Sequence, residues 1–261
     1  MDGQFQLGQV KLNVNDLDLV STFYEKLGFK SVGINDTVTL SLNDNPLLIL
    51  YKTTLPRKNE VGLYHFGLKV STVEDFISCC LHLEEQNVSI SGGREFPCMK
   101  SIYFRDPEHN GIELYVDLPA KKICLDEETR AVMDPLNLNQ LVESSNQLAS
   151  PLPSDTIIGR IHLHVLALDD SEAYYTKHFG LTKTYEGTND CFFSKDHYED
   201  YLGLNTWLPG RPSSKDFLSP GIRNFAVHME SSLFDELYGS KETKIKLIDP
   251  NAIHSTVYRG L

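Results

Sequence analysis

The chain has 261 residues, 41% of them hydrophobic and 23% charged, the balance of a globular protein with one large domain or two small ones. Its net charge of −12 argues against nucleic acid, whose phosphates need a clustered cationic surface, and points to a small neutral, apolar or at most modestly anionic partner. No apolar run approaches membrane-spanning length, MDGQFQLGQV lacks the basic start and apolar core of a signal peptide, and five cysteines without CxxC spacing read as reduced thiols; a cytoplasmic protein without membrane contact is expected.

In chain order, residues 12–26 (LNVNDLDLVSTFYEK) begin as an alternating strand. They change to helical spacing at Leu17, Val20, Phe23 or Tyr24, and Leu27, and stop near a glycine. A short linker at 53–60 leads to a strand at 62–70 (GLYHFGLKV) and an amphipathic helix around 73–86. The stretch 103–117 (YFRDPEHNGIELYVD) reads as strand, turn, strand, with Asp106-Pro107 opening the turn and Asn110-Gly111 closing it. Glu113 lies inside the apolar run IELYV, where a carboxylate is costly unless something answers its charge.

The polar stretch 118–156 ends in SPLPSD and is expected to hold one short helix around 136–144. Residues 163–177 (LHVLALDDSEAYYTK) then lie over 12–26 without a gap, matching Leu12 with Leu163, Tyr24 with Tyr175 and Lys26 with Lys177. The segment 221–229 (GIRNFAVHM) lies over 62–70 and is followed by a short helix around 231–239. Asp249-Pro250 repeats Asp106-Pro107, and in that register Thr256 stands where Glu113 does.

The chain therefore reads as four βαβββ units beginning near 6, 62, 157 and 221. The expected class is α+β, with mixed sheets curved around a cavity. The units fall into two domains, 1–117 and 157–261, joined by a linker at 118–156. The first strand of each unit carries a polar residue at the equivalent position: Gln9, His65, Arg160 and Asn224. His65 and Glu113, on the first and last strands of one unit, are two ligands toward a metal with open positions, or a simple hydrogen-bonded pair.

The fourfold repeat, the helix text FYEKLGF and above all YFRDPEHNGIELYVD resemble the vicinal oxygen chelate superfamily of glyoxalases, bleomycin-resistance proteins and extradiol dioxygenases. LPSDTIIGRIHLHV and GLNTW are most similar to its catechol-2,3-dioxygenase-like branch. The resemblance implies that His65 and Glu113 bind Fe(II) or Mn(II), that Tyr103 orients substrate, and that the ligand is a small aromatic diol. It also implies a third histidine ligand where this chain has Arg160; His162 stands two residues on, and both are read as substrate-lining. A histidine cluster expected before GLNTW is replaced by Glu199-Asp200-Tyr201.

Glu113 thus answers either to a metal ion or to Arg160 as an internal cation, and the pairing of unit two with unit three is favoured over one with two. Three activities follow in order: an extradiol-type oxidoreductase, a metal-free small-molecule-binding protein, and a glyoxalase-like lyase. The last needs a second carboxylate that the first unit lacks. A homo-oligomer is compatible with all three.

Overall fold

A computed structural model describes residues 5–118, 134–143, 145–195 and 201–260. Unit one comprises β1 (Phe5–Val14), α1 (Leu17–Lys26), β2 (Lys30–Ile34), β3 (Thr37–Leu42) and β4 (Asn45–Lys52). Unit two comprises β5 (Gly62–Val70), α2 (Val73–Glu85), β6 (Gly92–Phe96), β7 (Met99–Arg105) and β8 (Gly111–Asp117). The connection contains a short strand, β9 (Asp134–Pro135), and the expected helix, α3 (Leu138–Glu143). Unit three comprises β10 (Ile157–His164), α4 (Leu168–Phe179), β11 (Thr182–Glu186), β12 (Asp190–Ser194) and β13 (Leu202–Asn205).

Unit four comprises β14 (Gly221–Met229), α5 (Ser231–Tyr238), β15 (Lys244–Ile248) and β16 (His254–Arg259). It has two strands after its helix where three were expected, because only residues 239–243 separate α5 from β15.

Two curved mixed sheets result, as the repeat implies. The seven-stranded sheet runs β15-β16-β14-β1-β4-β3-β2 and the nine-stranded sheet β11-β12-β13-β10-β5-β8-β7-β6-β9. Units one and four therefore share the first sheet, and units two and three share the second. The seams are antiparallel, β1 against β14 and β5 against β10. The pairing of two with three is the favoured one, but the boundaries at 117 and 157 do not separate the sheets: each half of the chain contributes one unit to each.

Local chemistry fixes the helix ends. Asp16 caps α1 by accepting from the Leu19 N–H at 3.0 Å, and Thr72 caps α2 by accepting from Asp75 at 3.0 Å. Gly180 ends α4 in the left-handed region at φ 61°. Strand alternation sends Phe66, Leu68, Ile112 and Leu114 to the helix-covered side, where all are buried. Each such burial contributes about 1.5–3 kcal/mol.

The repeated polar residues have structural tasks. Asp106 Oδ1 accepts from the N–H groups of Glu108 and Asn110, and Asp249 Oδ1 from those of Asn251 and Ile253. Tyr24 of α1 donates to Asp106 Oδ2 at 3.3 Å, and Tyr175 of α4 donates to Asp249 Oδ2 at 3.0 Å. Each hydroxyl joins a helix of one sheet to a turn of the other.

Two expectations are corrected. The left-handed residue of the first turn is His109, at φ 66°, while Gly111 is the first residue of β8 and is a glycine because a Cβ there would stand 2.0 Å from the Tyr64 carbonyl oxygen. Cys98 is disulfide-bonded, so the cysteines are not all reduced; Cys79, Cys80 and Cys191 are free and buried. Among the described residues no helix is long and apolar enough to cross a membrane.

Candidate functional site

The site is assembled by the seam of the second sheet. β8 runs parallel to β5 with Glu113 beside Gly67, and β10 runs antiparallel to β5 with Arg160 beside Gly67 and His162 beside His65. β7 sets Tyr103 against Glu113. Alternation along these strands turns His65, Glu113, Tyr103, Arg160 and His162 to the face away from the helices. Gly67 makes the grouping possible, since a Cβ there would lie 2.6 Å from Arg160 Cγ. Its absence lets Arg160 reach across β5 to Glu113.

Glu113 is 1% exposed. Tyr103 donates to its Oε1 at 3.0 Å, while its Oε2 lies 3.4 Å from His65 Nε2 and 3.6 Å from Arg160 Nε and accepts no hydrogen bond. Burial pushes the carboxyl up, but the Arg160 charge, with His65 and Tyr103 behind it, outweighs burial and holds its pKa at about 2. The charge of Glu113 is therefore answered from within the protein. Burial and the neighbouring carboxylate together push the Tyr103 phenol up, which keeps it a neutral donor. The Arg160 guanidinium lies 4.2 Å over the Tyr115 ring and donates to Met99 Sδ at 3.6 Å.

His162 belongs to the same group but turns to a different partner. Asn205 Nδ2 donates to its Nε2 at 3.0 Å, and Asn205 Oδ1 lies 2.5 Å from His164 Nδ1 while accepting from the Trp207 N–H. Burial, followed by the charge of His65, holds the His162 pKa well below the usual histidine range, so the ring is neutral. Tyr64 packs against His65, His162, His164 and Trp207 at ring distances of 4.8–5.3 Å. Trp207 is 43% exposed and forms the solvent edge of this cluster.

These residues do not fit the metal set that the resemblance implied. His65 and Glu113 present two ligand atoms, but the third position is a guanidinium 3.6 Å from the same carboxylate oxygen, and it repels a divalent cation. His162 cannot replace it while its Nε2 accepts from Asn205. Among the described residues no three His, Cys, Asp or Glu side chains converge on a metal position. Glu199 and Asp200 lie outside the described residues; Tyr201 packs on Phe5 at 4.9 Å. Sequence reasoning missed Asn205, Tyr64 and Met99; the GLNTW text held the only signal for Asn205.

Comparison with known proteins agrees with this architecture. Residues 6–114 match the Glyoxalase/Bleomycin resistance protein/Dioxygenase superfamily. A catechol-2,3-dioxygenase of Bacillus subtilis (strain 168) is 30% identical over 237 residues, covering 85% of this chain and 81% of that protein. Among solved structures, a putative dioxygenase from Bacillus subtilis subsp. subtilis strain 168 superposes with a TM-score of 0.65 at 12% identity, covering 99% of this chain and 86% of the other. Glyoxalase I from Zea mays gives a TM-score of 0.57 at 13% identity, covering 98% and 92%. At such identities the two structures speak for the fold alone.

Proposed function

Since the chain belongs to the glyoxalase/bleomycin resistance protein/dioxygenase superfamily, we propose that it binds a small hydroxylated aromatic molecule beside the Glu113–Arg160 pair without a metal. One observation carries this reading: Arg160 Nε stands 3.6 Å from Glu113 Oε2, so a fixed internal cation takes the electrostatic role of the ion. The aromatic edge formed by Tyr64, His164 and Trp207 offers ring faces to such a ligand, and Tyr103 supplies a neutral phenol.

The second reading is an extradiol dioxygenase in which His65 and Glu113 hold Fe(II) or Mn(II) and Tyr103 orients a catechol. It draws support from the name of the Bacillus subtilis relative and from Glu113 Oε2, which accepts no hydrogen bond and faces His65. Anaerobic titration of wild type and Arg160→His with each metal, alongside melting curves with catechol in chelator, separates the two. Metal-free binding expects a catechol-induced shift that survives chelator. It also expects at least about a tenfold gain in metal affinity for Arg160→His, about 1.4 kcal/mol. Stoichiometric metal on the wild type together with ring cleavage would establish the second reading instead.

A further inference from the structure

The repeat carries the Glu113 region onto an equivalent place in the first sheet, and the chemistry there is opposite in sign. Leu12 lies over Leu163 and 221–229 over 62–70, so Lys11 takes the place of His162, Asn13 that of His164, Arg223 that of Tyr64 and Asn224 that of His65. Thr256 takes the place of Glu113. Across four adjoining strands these residues form a polar row. Lys11 pairs with Asn224, Asn224 Nδ2 donates to Thr256 Oγ1 at 3.1 Å, and Thr256 pairs with Lys246.

Arg223 sits at the end of this row in a fixed pose. Its guanidinium lies between two rings, 4.5 Å from Tyr51 and 4.2 Å from Phe217, and donates to Asn13 Oδ1 at 3.1 Å. Asn13 is itself buried and held by the carbonyls of Phe217 and Ser219. An arginine clamped this way loses little freedom when it binds an anion.

The cations accumulate without compensation. Lys11 is partly buried, and Arg223, Lys246 and Lys244 act on it, all of the same sign; burial and these neighbours hold its ammonium below the usual lysine range. Among the described residues none of the four makes an ion pair, although the chain as a whole carries −12. Like charges gathered on one half-buried face repel one another, and a bound anion relieves that repulsion.

We propose that the helix-free face of the first sheet is a site for a small organic anion, a carboxylate or a phosphate ester, recognised by Lys11, Arg223 and Lys246 with Asn224 and Thr256 as hydrogen-bonding partners. The site is separate from the Glu113 centre and stands whether or not that centre binds a metal.

Isothermal titration of the full chain with inorganic phosphate and with benzoate, at constant ionic strength, tests it. At least one anion is expected to bind with a Kd of about 1 mM or tighter. Preference for phosphate identifies a phosphate ester as the ligand class, and preference for benzoate a carboxylate. Lys246→Gln, on an exposed strand position that leaves folding intact, should weaken binding about threefold, and Lys11→Gln about tenfold. Binding weaker than about 10 mM for both anions overturns the proposal. So do affinities unchanged in both variants, or heats reproduced by chloride.

Discussion

At the scale of single residues, the site is an electrostatic balance around one buried carboxylate. Replacing Arg160 with Met should cost about 3–5 kcal/mol of stability, because it leaves the Glu113 charge buried without its strongest partner. Adding Glu113→Gln to that variant should return much of the loss, which urea unfolding of the single and double variants will measure. Acid gives a second check. The folded pKa of Glu113 is about 2 against an ordinary 4.5, so its contribution is complete above about pH 4.5 and is lost as pH falls toward 2. Between those values wild-type stability should drop about 3 kcal/mol more than that of Glu113→Gln. Asp106 and Asp249, which burial pushes upward, are common to both proteins and cancel in the difference. His65 and Arg160 were legible in the sequence because the repeat aligns the first-strand positions, Glu113 because a carboxylate interrupts an apolar run, and Tyr103 only through the family resemblance. The engagement of His162 by Asn205 was not, since it depends on a contact between β10 and β13 that neither segment announces alone.

At the scale of elements, the repeated text turns out to encode joints as much as a site. Tyr24 and Tyr175, matched in sequence, both donate to the aspartate of an Asp-Pro turn in the opposite sheet. Tyr24→Phe and Tyr175→Phe should each cost about 1–3 kcal/mol, since each leaves a buried carboxylate oxygen with one donor fewer. The two joints share no residue, so the losses should add in the double variant, as read by thermal or urea unfolding. The starts of the units were legible almost to the residue, because a change of hydrophobic period marks each one. The missing strand of unit four and the true role of Gly111 were not. The first is set by the five residues between α5 and β15, the second by the carbonyl of Tyr64 on a neighbouring strand.

At the scale of the whole molecule, the sheets ignore the order of the chain. Fragments 1–143 and 145–261 each hold one unit of either sheet, so neither should give the circular dichroism or amide dispersion of a folded protein alone. Mixed or co-expressed, they should recover both through the β1–β14 and β5–β10 seams. A folded fragment would show that one unit can close its own sheet. The β1–β14 seam also sets a schedule for synthesis. While the ribosome is still making the second half, β1 has no partner along the side that β14 will cover, and β14 begins only at Gly221. An open strand edge of that kind invites pairing with other nascent chains. A product cut short after unit three would carry that edge permanently, so β14 is the segment that renders β1 safe from aggregation.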